Sequence, residues 1–502
     1  MPDPSEKIIA DPTARTPWAR LPLWLALLAI AWGLVAALVY WHQGLTLSHY
    51  DAKGHLVVAR RVLDSLTPGW LQLGAVWLPL PHVLNLLPVQ VDAWYRTGAS
   101  GVAISILSVA LLVYCSARLI LRFTGSRVAA VTTVLVIVTN PNLLYLQSTP
   151  MTEPLLLGLI SLALLWIVEA LDDGSRGRWL RASGALALAL LTRYEAWPVA
   201  GAVLAATVAA RWHDGAGLRR GFVDAAWLAS VPAAALLWFV VHSKATVGAW
   251  FVTGGFYVPD PFYEHHASAV TGAVWWGVRA LGSEVLARAA ALAVVLVLYG
   301  WWRRRLPASA VVALAWLGVA ALPWYAFFQG HPFRIRYMVP LVVASAVLVG
   351  VVVGRLPRWR ATVAVLLLGG VWWSTRPFDP KAAMVLEAQW DRPRSVARQA
   401  VTACLPTPGG DEIVMASMGS LAHYMQEVSR NGFALRDFLH EGNGDLWLAA
   451  LERPRDHVRW MLMEEVAEGG DMLAQRARVQ PAFLAGFTRV CEGGGVGLYR
   501  AQ

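Results

Sequence analysis

Charge is what this sequence has least of. Only 15% of its 502 residues are charged, while 57% are hydrophobic; a soluble domain carries about a quarter charged residues. That shortfall excludes an ordinary soluble enzyme, a disordered chain and a coiled coil. Cysteine is scarce as well, and three of them cannot build a disulfide framework. Acidic residues are outnumbered 32 to 42 by Lys and Arg, but the surplus is local. Basic residues number 28 against 16 acids in 1–375, and 14 against 16 in 376–502. The excess belongs to the apolar part, where basic residues act as topology signals, so nucleic acid is not an expected partner.

What the chain has instead is long apolar runs. Those approaching the 20 or so residues needed to cross a bilayer lie near 21–41, 98–117, 128–147, 152–171, 222–243, 284–302, 307–328, 337–354 and 361–375. The first is too long for a cleaved signal peptide and lacks a small-residue cleavage site after it, so it reads as a retained anchor. Residues 182–210 are apolar but interrupted by Arg193-Tyr194-Glu195. One long helix would bury both charges at mid-membrane, which is costly; two helices meeting at an external tip would keep them wet. Arginine-rich loops at 118–127, 176–181, 211–220, 303–305 and 355–360 fall on one side only if this segment crosses twice. The expectation is a polytopic α-helical membrane protein of about eleven spans. Residues 1–20 form a cytoplasmic tail, 21–375 the membrane domain, and 376–502 an external α/β domain. Eighteen of the 28 basic residues in 1–375 then lie inside, a clear positive-inside bias.

In the tail, Pro377, Pro380 and Pro393 mark a linker, Ile413–Ser417 and Val458–Met463 read as buried strands, and Arg489–Arg500 as a final hairpin. The glycines after Glu492 open no helix, so they read as a turn rather than a phosphate cradle. Cys404 and Cys491 share an oxidising compartment, with pairing and free thiols both open. Trp447, Trp460 and Tyr424 fit either acceptor recognition or a core.

Almost every residue suited to chemistry falls on the external side. The first loop, 42–97, opens with Ser48-His49-Tyr50-Asp51-Ala52-Lys53-Gly54-His55. A helix over 51–65 follows, with Leu56, Val57, Val58, Val62 and Leu63 on its apolar side and Arg60, Arg61 and Asp64 facing away. That pattern predicts an amphipathic helix lying along the membrane. The Trp70–Val91 stretch is broken by Pro79, Pro81 and Pro88, which suits the interface, with Trp70 and Trp77 at headgroup level. Asp51 falls near the mouth of the bundle, where it is a candidate functional acid; an aspartate there also suits a helix N-cap. His49, Asp51, His55 and His82 match no standard zinc spacing. No cofactor is expected, with a divalent metal at these residues the alternative.

The second cluster is Gly330-His331-Pro332-Phe333-Arg334-Ile335-Arg336-Tyr337, where a loop enters the membrane. Guanidinium groups bind phosphate bidentately and stay charged in poorly hydrated sites, so Arg334, Arg336 and His331 are candidates for a lipid phosphate; the bland alternative is that they anchor the interface. Glu153, Arg193, Tyr194, Glu195 and Tyr337 complete the candidate substrate-binding set with His49, His55 and His82. Asp260, Glu264, His265 and His266 lie in a 244–283 loop read as a lid over a groove.

His49-Tyr50-Asp51, the Leu191-Thr192-Arg193-Tyr194-Glu195 tip and Arg334-Ile335-Arg336-Tyr337 with Pro340 together resemble the GT-C glycosyltransferases, the superfamily of protein O-mannosyltransferases and aminoarabinose–lipid A transferases. The resemblance covers roughly 20–375 and departs at Ala52, where relatives often have a second acid. It implies a polyprenyl-phosphate sugar donor, a lipid, glycan or protein acceptor, and inverting transfer with Asp51 as base. It further implies an integral protein of a bacterial inner or plasma membrane. The competing readings are a transporter or flippase, for which the broken 182–210 segment argues, and a non-catalytic scaffold with an external binding domain.

Overall fold

The computed structural model describes residues 20–252, 257–390, 392–408 and 412–502. The expected cytoplasmic tail therefore lies, apart from Arg20, outside the described residues. The chain opens with α1 (Leu21–His42), followed by the first-loop helices α2 (Tyr50–Arg61), α3 (Leu80–Asn85) and α4 (Asp92–Thr97). Then come α5 (Ala99–Thr124), α6 (Arg127–Val138), α7 (Pro141–Gln147), α8 (Glu153–Asp173), α9 (Arg176–Leu190), α10 (Ala196–His213) and α11 (Leu218–Val247). The bundle closes with α12 (Ala267–Gly282), α13 (Glu284–Trp302), a 3-10 run (Ala308–Ala320) continuing into α14 (Ala321–Phe328), α15 (Val339–Gly354) and α16 (Arg360–Ser374).

Seven of these segments are long and apolar enough to cross a membrane, or eight if the α6–α7 pair, bent by 67°, is one span. Asn140 and Pro141 explain the bend: Asn140 caps α7 with its side-chain oxygen, and proline is favoured at a first helical position. The lipid-facing surface is apolar, with Leu28, Leu237 and Leu366 among its exposed side chains. The interior is held by close backbone contact. α15 is the most enclosed long segment, and a Cβ on Gly350 or Gly354 would strike Thr133 or Thr124 on its neighbours. Small residues one turn apart let membrane helices approach this closely, where packing rather than the hydrophobic effect drives association.

The 244–283 segment departs from expectation. It is not a loop throughout but carries the 16-residue helix α12, which packs on α13, α14 and α15. Its apolar residues Val270, Ala273 and Leu281 are buried in that contact. Residues 253–256 of the expected lid lie outside the described residues, and what precedes α12 is pinned, with Asp260 N–H donating to Gly330 O and His265 N–H to Phe328 O.

After the bundle come α17 (Ala383–Glu387), α18 (Arg392–Thr402) and α19 (Met418–Val428), with β1 (Val414–Ala416), β2 (Phe438–Leu439), β3 (Trp460–Glu464), β4 (Phe487–Gly493) and β5 (Val496–Ala501). The strands form one sheet in the order β2-β1-β3-β5-β4. β1 runs parallel to β2 and β3, and β3, β5 and β4 are antiparallel. The two buried strands and the hairpin are where the sequence places them; the two-residue β2 is too short to leave a pattern. Cys404 and Cys491 form a disulfide joining the segment after α18 to β4.

The sheet does not bury its apolar face alone. Val414, Leu421, Tyr424, Met425 and Phe438 share one core with Leu56, Val57, Ala59, Val89 and Tyr95 of the first loop. Lys53 Nζ donates to His423 O and Gln426 Nε2 to Lys53 O, so α19 lies directly on α2. The buried and exposed sides of α2 therefore differ from those its sequence suggests. Arg61 and Asp64, read as facing away, are buried: Arg61 donates to Gln72 O, and Asp64 accepts the N–H groups of Leu435 and Arg436. Leu63, read as packed, is 52% exposed. A second apolar partner from the tail covers the face that the sequence alone assigns to water.

Candidate active site

The site lies at the end of the bundle where the first loop, the α9–α10 tip and the segment before α15 meet. Asp51 stands in the first turn of α2. That helix starts because His49, in extended conformation, accepts the Asp51 N–H on its Nδ1 at 3.0 Å. The cap is thus the histidine, and the aspartate side chain is released for other work. It reaches Arg336, whose Nη2 donates to Asp51 Oδ2 at 2.6 Å. Arg336 sits in a 3-10 turn, Ile335–Met338, that leads into α15.

A network spreads from this pair. Arg336 also stands 3.8 Å from Glu153 and 3.5 Å from Glu387. Glu153, at the first turn of α8, is fully buried and meets Arg193 at 3.0 Å. Arg193 in turn holds Glu195 at 2.6 Å and donates to Thr152 Oγ1 at 2.9 Å. The expected wet tip is corrected here. Glu195 is buried and Arg193 nearly so, and the two pair with each other and with Glu153 instead of facing water. A buried charge is tolerated when paired and hydrogen-bonded.

Burial by itself pushes the Asp51 carboxyl up, but Arg336, His49, His55 and Arg193 together hold it well below the usual carboxylate range. His55, one turn further along α2, is pushed down to about 3 by burial, against the pull of Asp51. Its Nδ1 faces His82 Nε2 at 3.0 Å, while His55 Nε2 and His82 Nδ1 are buried without a hydrogen-bond partner. Trp77, read as an interfacial residue, packs within this cluster. Its ring lies 4.2 Å from that of His55, and Gly54 makes room for it, since a Cβ there would come within 2.7 Å of the indole. Trp70, by contrast, is 45% exposed.

His331 accepts or donates at 3.4 Å to the Tyr337 hydroxyl and is bonded to Pro332 O through Nδ1; burial lowers its basicity. Arg334 is half-buried at the start of the turn carrying Arg336. Tyr194 donates to Val76 O. Asp260, Glu264, His265 and His266 join no ion pair with Asp51 or Arg336. Among the described residues, no three His, Cys, Asp or Glu side chains are arranged to hold a metal ion.

One member of the network escaped sequence reasoning. Glu387, at the end of α17, accepts the Ile335 N–H at 2.8 Å and faces His49 Nε2 at 3.7 Å. Burial raises its carboxyl, but His49, Arg336 and the Ile335 N–H bring it below its ordinary value. The only signal was an acid closing the short apolar run Ala382–Leu386, inside a stretch read as linker.

No family model and no curated protein matches the sequence. Solved structures do match in fold. The ArnT of Cupriavidus metallidurans bound to undecaprenyl phosphate superposes with a TM-score of 0.57 at 15% identity, over 97% of this chain and 98% of that one. Its apo form gives 0.57 at 16% identity, over 93% and 96%. The oligosaccharyltransferase of Archaeoglobus fulgidus gives 0.55 at 11% identity, over 88% of this chain and 69% of that one. The chain thus shares the fold of ArnT over nearly its whole length, tail included.

Proposed function

We propose that this protein is an inverting glycosyltransferase that moves a sugar from a polyprenyl-phosphate donor to an acceptor hydroxyl at the external membrane face. The observation that carries the reading is the 2.6 Å contact joining the first-loop acid Asp51 to Arg336 at the mouth of the bundle. An inverting transfer needs a base on the acceptor and fixed positive charge on the leaving phosphate, within one sugar of each other. Likeness in fold to a protein solved with undecaprenyl phosphate supports a lipid-linked donor. The sugar and the acceptor, whether lipid, glycan or protein, stay undefined.

In this reading the Asp51–Arg336 pair is the resting state. A donor phosphate taken up by Arg336, with Arg334 and His331 beside it, competes with the carboxylate. Loosening the pair raises Asp51 toward the range in which a base accepts a proton. Glu153, Arg193 and Glu195 fix the groups around it, and Tyr194, Tyr337, His55 and His82 line the surroundings. The reading assigns the leaving-group charge to arginines and invokes no cofactor. It places the chain in a bacterial inner or plasma membrane, with eleven crossings once α9, α10 and α16 are counted, the N-terminus cytoplasmic and the sheet outside.

The test is transfer of radiolabel from a panel of polyprenyl-phosphate sugars to a membrane extract, by wild type and Asp51→Asn. Label should pass with wild type and fall by roughly 10²–10⁴-fold in the variant, the contribution of a general base, with donor binding kept. Equal turnover by the variant removes Asp51 from the chemistry. Silence and absent binding across the panel would favour a transporter or scaffold.

A further inference from the structure

We propose that Glu387, supplied by the segment after the bundle, is a positioning residue that sets both partners of the Asp51–Arg336 pair; the inference rests on the reading above. Three donors face this carboxylate, one hydrogen-bonded to Oε2 and two within ion-pair range of Oε1. Ile335 N–H is bonded to Oε2 at 2.8 Å, which fixes the turn that carries Arg336. Arg336 Nη1 lies 3.5 Å from Oε1. The third donor is His49, and its tautomer follows from its role as a cap. Because Nδ1 accepts the Asp51 N–H, the neutral ring carries its hydrogen on Nε2. Arg336 Nη1, 3.2 Å from that nitrogen, is itself a donor and cannot take the hydrogen, whereas Glu387 Oε1 faces it at 3.7 Å. Glu387 thus orients the ring whose other nitrogen starts the helix of Asp51.

A displaceable strap would give the same contacts, but α17 is not built as one. Met384, Val385 and Ala388 are fully buried in the core of the bundle, and Met384 N–H donates to Asn142 Oδ1 at 2.9 Å. With its backbone held on both sides, Glu387 works as a fixed post. The tail therefore completes the site twice, through α19 packed on α2 and through this carboxylate.

The experiment compares Glu387→Gln with Glu387→Ala in the full chain. Both remove the charge; only glutamine keeps an acceptor for Ile335 N–H and His49 Nε2–H. Turnover should be at least tenfold higher in Glu387→Gln than in Glu387→Ala, and binding of undecaprenyl phosphate at least fivefold tighter. Repeated with His49→Ala, the gap in turnover should shrink at least threefold, a coupling that a loss of folding would not produce. Equal turnover and binding of the two Glu387 variants would overturn the proposal, and an undiminished gap without His49 would overturn the route through that ring. If wild type transfers no sugar while the binding gap persists, the glycosyltransferase reading fails and the positioning role stands.

Discussion

The two ends of the bundle both carry arginine–carboxylate networks, but the one at the site is buried, whereas the other is largely exposed apart from Arg211 and Asp224. At the end away from the site, Arg118 meets Glu169, Arg122 meets Asp172, Arg178 meets Asp173, and Arg211 and Arg220 share Asp224 with Asp214 at the rim. Charges there balance, five against five in those ion pairs. At the site, Arg193 and Arg336 serve four carboxylates, Asp51, Glu153, Glu195 and Glu387. Both Glu153 oxygens, Arg336 Nε and Glu387 Oε1 are buried without a hydrogen bond. The balanced network is a fastener. The unbalanced one leaves more buried atoms unsatisfied than the other, where Asp224 Oδ1 is the one such atom in those ion pairs, and that costs stability.

Substitution at each end tests that division. Asp51→Asn should give the largest effect on transfer, the loss described above, with a smaller loss of stability than Arg211→Met, because His49 caps α2 and Arg336 keeps Glu153 and Glu387 nearby. Arg211→Met should do the reverse. Arg211 donates to Asp224 at 2.6 Å and to Leu171 O at 2.7 Å, and removing one partner of a buried pair costs about 3–5 kcal/mol. Thermal melting should drop accordingly while the folded fraction keeps its turnover per molecule. A fall in turnover without a fall in stability would show that this network, too, belongs to the site.

How much of this was legible beforehand differs along the same line. The apolar runs and the strands at 414–416 and 460–464 follow from periodicity and local propensity, so they could be read directly, whereas the bend at Asn140-Pro141 inside the 128–147 run was not. His49, Asp51 and Arg336 were legible because polar groups are conspicuous beside apolar segments. What sequence could not show is contact between distant segments. Asp64 and Arg61 were assigned to water because nothing local announces that the tail, from some 360 residues away, covers this helix. Glu387 was missed for the same reason.

The tail fastens the site end, so loosening it should sharpen the contrast between the ends. Cys404→Ser with Cys491→Ser opens a loop of 87 residues and should cost about 2–4 kcal/mol, by removing a constraint on the unfolded chain. Melting followed by proteolysis should show the sheet region giving way first, with the Arg211 end still protected. Simultaneous loss of both regions would mean that the sheet and the bundle unfold as one unit.

The smallest expected effect separates two histidines that do the same local job. His49 and His440 each accept a backbone N–H on Nδ1 to start a helical turn. His49 has Glu387 before its other nitrogen, whereas His440 Nε2 is fully buried with no hydrogen-bond partner. Burial, and Arg61 nearby, push His440 down to about 3. The folded state thus prefers the neutral ring, so its stabilising contribution is present above the unfolded value near 6.5 and is lost as pH falls through the window between 6.5 and 3. From pH 7 to pH 5 the loss from this group is about 2 kcal/mol. His440→Asn keeps an oxygen for the Gly442 N–H, as asparagine does in such turns, and carries no titrating group. Its stability should therefore fall less than that of wild type across the same interval, measured by denaturant melts at the two pH values. An identical slope in both proteins would mean that His440 is reached by water and protonates freely in the folded chain.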